Sequence, residues 1–306
     1  MRTIPLGTSG FVTTRLGYGC MGVACGWTPS KVTTEDRRKG REAILAAFDA
    51  GYRLFDHADI YCSGVCEEIH GEVLKTSPVM RREIVLATKC GIRFGGDPHG
   101  DSPGRYDFSA AHIERSCELS LKRLGVDALD LYQLHRPDVL GDPDEVAAAF
   151  TRLRQAGKVR SLGVSNFLPS QVEAFQSRLP FPLVVNQVEI HPGRLACFTD
   201  GTLDQCLARS MAPLAWSPLA GGRFGGNSPA NGDPLVAAVD AAAGRMGVSR
   251  AVTVFAWLMR HPSGIVPLVG STNPARIREA ATADAIAFDR EEWYRIYIAA
   301  RGEPMP

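Results

Sequence analysis

Titratable side chains stand directly after three strand-like runs of apolar residues. Leu54 and Phe55 precede the stretch DHADIY at 56–61, the run 84–88 ends at Lys89, and the run 129–134 ends at His135. A charge just past a buried strand costs free energy unless it is paired or has a function. The carboxylate, amine, imidazole and phenol so placed are groups that can hold and transfer protons.

This combination suits the reduction of a carbonyl group. Lys89 beside Tyr61 would favour the phenolate, which matters because a free phenol has a pKa of about 10. Asp56 would pair with Lys89, and His135 could donate to a carbonyl oxygen or relay a proton. Since no side chain supplies a hydride, a redox cofactor is implied. Taken singly, Asp56 could be a helix cap, Lys89 a solvated strand end and His135 a structural histidine.

The elements that would position these residues alternate along the whole chain. A hairpin over 3–14, with its turn at 7–10, precedes eight strand–helix repeats, which predicts a closed (β/α)8 TIM barrel with extra helices. A barrel brings all strand C-termini to one rim, so the residues above should meet there. No linker divides 1–306, and a single domain is expected. The predicted strands are 15–22, 52–57, 84–90, 128–135, 159–165, 183–190, 213–218 and 265–269, and the predicted helices are 35–50, 67–76, 109–124, 143–156, 169–177, 202–210, 235–246, 249–260, 274–283 and 289–299.

The later strands offer partners for a cofactor. The amides of Asn166 and Gln187 can hydrogen-bond a carboxamide, and Trp216 offers a flat face for stacking. The loop 217–223 exposes backbone N–H groups for a pyrophosphate, and 270–276 opens a helix with a hydroxyl and an arginine, which suits a phosphate. The plainer alternatives are core polar residues and a core indole.

A literal Gly-x-Gly-x-x-Gly occurs at 17–22, but it is not interpreted as a dinucleotide fingerprint. Such a fingerprint needs a helix opening at the third glycine, and 23–29 has no helical period. The better interpretation is a first barrel strand that something approaches closely.

Composition excludes several functional classes. With 306 residues, 22% charged, and a net charge of +1, the chain has no feature of a nucleic-acid or membrane-surface binder. No apolar run could span a bilayer, and 1–7 lacks the core of a signal peptide, so a cytoplasmic location is expected. The eight cysteines contain no Cys-x-x-Cys pair, which favours reduced thiols and no metal site, although Cys62, next to Tyr61, could be oxidation-sensitive.

The chain resembles the aldo-keto reductases over nearly its whole length, in a form similar to a bacterial branch of predicted oxidoreductases. Singly the matching motifs are modest, but their order is specific. They are FDHADIY at 55–61, ATK at 87–89, LHRP at 134–137, GKVR at 157–160, GVSNF at 163–167, NQVE at 186–189 and VPLVGST at 266–272.

The resemblance implies NADPH-dependent reduction of aldehydes or ketones by a monomer or small homo-oligomer, with NADH as a weaker alternative. Tyr61 would be the general acid, with Asp56, Lys89 and His135 completing a tetrad. The implied cofactor-binding residues, which hold the carboxamide, stack on the nicotinamide and bind the phosphates, are Met21, Ser165, Asn166, Gln187, Trp216, Ser217, Leu219, Gly221, Arg223, Gly270, Ser271, Asn273 and Arg276.

Three positions depart from the family pattern. Trp216 stands where tyrosine is usual, Gly270 where many relatives have lysine, and Ala280 where they have asparagine. One contact to the 2′-phosphate and one to adenine would therefore be missing. Arg276 remains and can form a bidentate pair with a phosphate.

The substrate itself is left open. Trp27, Phe94, Tyr106 and Arg136 are expected to line the mouth of the pocket, and aromatic walls suit aromatic or α-dicarbonyl compounds and aldehydes. Arg136 could bind an acidic group or form a structural ion pair, and the loop 91–107 could fold over the cofactor.

Two other functional classes compete with the reductase. One is a non-catalytic barrel that binds nucleotide and responds to redox state. The other is a lyase or isomerase acting on a phosphorylated substrate near Ser271. The complete tetrad argues against the first, and the second leaves Asn166, Gln187 and Trp216 unexplained together.

Overall fold

Eight parallel strands close into a barrel, preceded by an antiparallel hairpin. The computed structural model describes residues 1–226 and 232–306. The hairpin pairs β1 (Thr3–Pro5) with β2 (Val12–Thr14). Around the barrel the order is β3, β4, β5, β8, β9, β10, β11 and β12, with β12 returning to β3, so the predicted (β/α)8 barrel is confirmed. These strands are β3 (Gly17–Gly19), β4 (Leu54–Asp56), β5 (Val85–Cys90), β8 (Leu129–Leu134), β9 (Val159–Ser165), β10 (Leu183–Glu189), β11 (Ala212–Trp216) and β12 (Val266–Val269).

Helices surround the strands as the 3.6-residue periodicity predicts. Several begin at side-chain caps: Thr33 and Asp36 form a capping box before α1, and Ser109 caps α4. The helices are α1 (Thr34–Asp49), α2 (Val65–Thr76), α3 (Pro78–Glu83), α4 (Ala110–Leu124), α5 (Pro143–Gln155), α6 (Pro169–Gln176), α7 (Thr202–Arg209), α8 (Pro234–Met246), α9 (Arg250–Met259), α10 (Pro274–Ala281) and α11 (Arg290–Arg301).

The apolar core has two layers. A larger cluster lies between the strands and the helices and includes Phe55, Tyr132 and Trp257, all fully buried. A smaller one fills the barrel interior and includes Leu6 from the hairpin connection and Leu131 from β8. The N-terminal hairpin therefore supplies a side chain that plugs the barrel.

Gly7 shows why this connection needs glycine. Its φ is +55°, and a Cβ at this position would lie 2.2 Å from the carbonyl oxygen of Val184. Only a residue without a side chain allows the turn to approach β10 so closely.

The structure differs from the sequence-based expectation in several places. The predicted first strand, 15–22, is reduced to Gly17–Gly19, because a 3-10 turn over Cys20–Gly22 follows it. Helix α3 occupies a stretch for which no element was predicted. The loop 91–107 contains a short antiparallel pair, β6 (Ile92–Arg93) with β7 (Arg105–Tyr106), which its glycine and proline content concealed.

One other feature agrees with the sequence. The third glycine of the Gly-x-Gly-x-x-Gly ends a single 3-10 turn, Cys20–Gly22, and opens no α-helix. Among residues 1–226 and 232–306, no helix is long and apolar enough to cross a membrane.

Candidate active site

The C-terminal ends of three neighbouring strands place the candidate catalytic residues. Asp56 ends β4, Lys89 is the penultimate residue of β5, and His135 directly follows β8. Tyr61 lies at the start of a 3-10 turn, Tyr61–Gly64. The chain between β4 and this turn is fixed to β5, because the Asp59 N–H donates to the Lys89 carbonyl at 3.0 Å.

Lys89 is the centre of this group. Its ammonium donates to Asp56 Oδ2 at 2.6 Å, to the His57 carbonyl at 2.8 Å and to Tyr61 Oη at 3.2 Å. The side chain is fully buried. All three of its N–H donors are thus used, and one of them points at the phenol.

Asp56 is held equally firmly on its other oxygen. Oδ1 accepts from Gln133 Nε2 at 3.2 Å and from Gln187 Nε2 at 2.9 Å. A buried carboxylate needs such hydrogen-bond partners to offset its lost hydration. Sequence reasoning missed Gln133, although it lies two residues before His135 and so shares its side of the strand.

The surroundings act on the pKa values of both proton-holding groups. Burial alone would lower the pKa of Lys89, but the Asp56 carboxylate and then Tyr61 outweigh it and raise this pKa above its ordinary 10.5. Burial raises the pKa of Tyr61, and the Lys89 charge only partly reverses the increase. Near neutral pH, the phenol is therefore protonated and the amine is charged.

His135 faces the phenol edge-on, with ring centroids 5.9 Å apart. Burial, with the charges of Lys89 and Arg136, lowers the pKa of the imidazole well below 6.5. Its Nδ1 is buried without a hydrogen-bond partner among the described residues. The ring is therefore neutral at pH 7 and can act as a hydrogen-bond donor.

A cleft of about 1240 Å3 opens over these residues and continues along the barrel rim. Its first part is lined by Tyr61, His135 and Trp27, and it extends through Trp216 to Arg276. The long shape and the polar groups along it suit a dinucleotide with a small substrate at one end.

The middle of the cleft has hydrogen-bonding capacity to spare. The Ser165 hydroxyl donates to the Gln187 carbonyl at 2.8 Å, and Asn166 Oδ1 accepts from Trp216 Nε1 at 2.9 Å. Asn166 Nδ2 donates to the His135 carbonyl and to Ser165 Oγ. Each of the two oxygens, Ser165 Oγ and Asn166 Oδ1, keeps an acceptor position, and Gln187 keeps one amide hydrogen, so the set can satisfy a carboxamide.

The far part of the cleft combines exposed backbone with one arginine. Ser217 and Ala220 have φ values of 52° and 51°, and Gly221 has 63°. These three residues of the loop are therefore in the left-handed region and not in strand geometry. Such turns expose backbone N–H groups that bind anions. The remaining expected phosphate residues on the cleft wall are Leu219, Gly270, Ser271 and Arg276.

Four residues expected to contact the cofactor or the substrate do not lie on the cleft wall. The Arg223 guanidinium donates to Asp233 Oδ2 at 2.9 Å and is therefore not free to bind a phosphate. Residues 227–231 of the same loop lie outside the described residues. Asn273 caps α10 by accepting from the Ala275 and Arg276 N–H groups. Phe94 follows β6 and is 50% exposed, and Tyr106 in β7 is 44% exposed; both side chains face solvent from the small hairpin.

The other expected pocket residues do line the cleft: Met21, Trp27 and Arg136. Sequence reasoning missed the wall supplied by helices α8 and α9, since nothing in their periodicity distinguishes a cleft-facing side chain from a buried one. The missed residues from α8, α9 and the turn between them are Asp240, Ala243, Val248, Ser249, Arg250, Ala251 and Phe255, and those from elsewhere include Ile60, Ile92 and Glu279.

Cys62 does not have the surroundings of a reactive thiol. It lies next to Tyr61, but burial raises the pKa of the thiol above 9.0. A raised pKa lowers the thiolate fraction and with it the rate of oxidation.

The family model of the aldo/keto reductase family matches residues 15–301. A 6-dehydroglucose reductase of Novosphingobium aromaticivorans is 41% identical over 308 residues, with 98% of this chain and 96% of the relative covered. The oxidoreductase YdhF of Escherichia coli is 43% identical over 261 residues, with 84% and 86% covered. Among solved structures, the glycerol dehydrogenase of Gluconobacter oxydans superposes with a TM-score of 0.84 at 25% identity, covering 99% of this chain and 97% of that one.

Proposed function

The chain belongs to the aldo/keto reductase family and is an NAD(P)H-dependent oxidoreductase, and from that premise we propose that Tyr61 donates the proton when an aldehyde or ketone is reduced. The observation that carries this is the 3.2 Å hydrogen bond from the buried Lys89 ammonium to Tyr61 Oη. Membership in this family argues against the lyase or isomerase interpretation.

The residues along the cleft fit a nicotinamide dinucleotide. Ser165, Asn166 and Gln187 would hold the carboxamide with their unused donor and acceptor positions, and Trp216 would stack on the ring. The bound reduced nicotinamide would supply the hydride.

The tetrad residues divide the proton chemistry among them. Tyr61 gives its proton to the carbonyl oxygen, and the phenolate left behind is stabilised by the Lys89 charge. Asp56 keeps Lys89 charged and in place, since the two are 2.6 Å apart. Neutral His135 donates a hydrogen bond to the same carbonyl oxygen and so orients it toward Tyr61.

We further propose that NADPH is preferred to NADH. Arg276 lines the far end of the cleft and has no salt bridge within 1–226 and 232–306, so its guanidinium is available for a 2′-phosphate. Gly270 and Ala280 supply no second contact, and NADH therefore remains a usable, weaker cofactor.

The proposed substrate class is that of small hydroxylated aldehydes and related carbonyl compounds. The names of two relatives support it, one a 6-dehydroglucose reductase and the other a glycerol dehydrogenase. The walls near Tyr61 combine apolar side chains, Trp27 and Ile60, with the cation of Arg136.

The test is a panel of carbonyl compounds with NADPH and NADH, followed by loss of reduced-nicotinamide absorbance. We expect turnover of aldehydes, including hydroxylated ones, with a higher kcat/KM for NADPH. Binding of either cofactor without reduction of any carbonyl would contradict the proposal and would favour the nucleotide-binding, non-catalytic alternative.

A further inference from the structure

Arg136 is an unpaired cation in the wall of the cleft. It follows His135 at the end of β8 and is partly buried. Within residues 1–226 and 232–306 its guanidinium has no hydrogen-bond or salt-bridge partner, and its ring contact is with the Trp216 indole, 5.2 Å from the centroid. The ion pair considered from the sequence is therefore not formed within these residues.

Two other arginines near the same rim, Arg93 and Arg223, are paired with acids. Arg93 binds Asp97 and Asp107, each at 2.8 Å, and Arg223 binds Asp233. A partly buried guanidinium with five N–H donors and no acceptor loses hydration without compensation. Because Arg136 lines the cleft, its unused donors are available to a ligand bound there.

Arg136 lines the same cleft as Tyr61 and His135. His135, its neighbour in sequence, faces Tyr61, and the charge of Arg136 acts on the imidazole. Trp216, on which Arg136 lies, is the expected stacking surface of the nicotinamide. A substrate whose carbonyl group lies at Tyr61 and His135 would therefore occupy the part of the cleft whose wall includes Arg136.

The other groups in this part of the cleft offer nothing equivalent. The wall near Tyr61 is otherwise apolar, with Trp27, Ile60 and Ile92, and the Asp56 carboxylate is already bound by Lys89 and two glutamines. The site is therefore rich in donors and poor in free acceptors. Such a site suits a substrate that carries acceptor oxygen atoms next to its carbonyl group.

We propose, resting on the proposed function, that Arg136 binds the hydroxyl oxygens on the carbons next to the reacting carbonyl and so selects hydroxylated aldehydes over unsubstituted ones. An aldehyde without these oxygens would bury the guanidinium unpaired, which is the unfavourable case. Hydroxyl groups satisfy it and fix the carbonyl relative to Tyr61.

The experiment compares D-glyceraldehyde with propanal, two three-carbon aldehydes that differ in their hydroxyl groups. Kinetics with NADPH are measured for the wild type, Arg136→Leu and Arg136→Lys. The readout is kcat/KM for D-glyceraldehyde divided by kcat/KM for propanal, because any effect on cofactor binding or folding cancels within one variant. We expect the ratio to fall about 10- to 100-fold in Arg136→Leu, the range of a hydrogen bond to a charged group, and to recover in part in Arg136→Lys.

Arg154→Leu is the matched control. Arg154 also places its guanidinium over an aromatic ring, 4.3 Å from the Phe181 centroid, but it lies in α5 outside the cleft. Its ratio should equal that of the wild type.

The outcomes distinguish a failure of the role of Arg136 from a failure of the proposed function. If the wild type reduces no aldehyde, the proposed function fails; if it reduces both but the ratio is the same in Arg136→Leu, only the role of Arg136 is overturned. Succinic semialdehyde and butanal form a second pair. In Arg136→Leu, a larger fall in the kcat/KM ratio of succinic semialdehyde to butanal than in that of glyceraldehyde to propanal would assign Arg136 to a carboxylate. That result would overturn the selection of hydroxyl groups.

Discussion

Lys89 remains charged where burial opposes the charge, because three acceptors surround its ammonium. The Tyr61 phenol beside it stays protonated near neutral pH, since burial keeps its pKa above the ordinary value despite the neighbouring cation. The sequence singled out both residues, because Lys89 ends an apolar strand-like run and Tyr61 lies shortly beyond the end of another. The direction of the Tyr61 pKa shift could not be predicted, since it depends on how completely the folded chain excludes water from the phenol.

The pKa shifts of Tyr61 and His135 predict the pH profile of the reduction. Because the proposed proton donor is the protonated Tyr61, kcat/KM should be constant from about pH 6 to about pH 9 and fall only as the phenol ionises at higher pH. Because the pKa of His135 is well below 6.5, no change is expected between pH 6 and 7. The profile is measured with saturating cofactor; a step near pH 6.5 that disappears in His135→Gln would show that the imidazole is charged at neutral pH.

At the scale of elements, the connection between β4 and α2 carries the phenol and is held from two sides. Glu67 of α2 is fully buried, accepts from the Thr88 hydroxyl at 2.6 Å and pairs with Arg123 of α4 at 3.0 Å. Thr88 precedes Lys89, so this network links the helix directly to the strand that bears the amine. A buried pair of this kind stabilises only when both partners are present.

Asp59 in this connection makes stability depend on pH. Its Oδ1 is buried without a partner among the described residues, and burial together with Glu67 raises its pKa to about 7. The folded state therefore holds a proton that the unfolded chain, with a pKa near 3.8, releases, and the free energy of unfolding falls as pH rises between these values.

Asp59→Asn should remove this fall in the free energy of unfolding with rising pH, because an amide does not ionise. Denaturant unfolding at about pH 5 and about pH 8 should show the variant gaining on the wild type at the higher pH. Asp127→Asn, at an exposed position, is the control and should show no such trend. A stability difference for Asp59→Asn that is the same at both pH values would contradict the assignment.

Elements were predicted unequally well for physical reasons. The barrel strands were readable because each is a short apolar run bounded by polar residues, and Gln133 could have been found from its two-residue spacing to His135. Arg223 was expected on a phosphate, but its guanidinium pairs with Asp233, ten residues further along the chain. A side chain in a glycine-rich loop has no periodicity from which its direction could be read.

At the scale of the whole molecule, closure of the barrel brings residues from seven of its strand ends to one cleft. Its far wall comes from α8, α9 and α10, which follow the last two strands. Their contribution depends on tertiary packing, so sequence patterns alone did not reveal it. The motif order nevertheless predicted the fold and the family.

The cleft predicts that cofactor binding stabilises the whole chain. A ligand at 100 times its Kd adds about 2.7 kcal/mol to the free energy of unfolding, so NADPH should raise Tm measurably. Arg276→Ala should reduce the Tm increase with NADPH and leave that with NADH nearly unchanged. Differential scanning fluorimetry with each cofactor checks this, and equal losses for both would mean that Arg276 does not bind the 2′-phosphate.

Tyr61→Phe tests the central claim most directly, with kcat and the Kd for NADPH measured on the same preparation. Removing the proton donor while keeping the ring should lower kcat by about 10²- to 10⁴-fold and leave the Kd within about threefold, the ordinary scatter of a neutral substitution. Tyr132→Phe, which removes another buried hydroxyl, bonded to the Ile113 carbonyl, should retain turnover. A Tyr61→Phe enzyme with unchanged kcat would contradict the account.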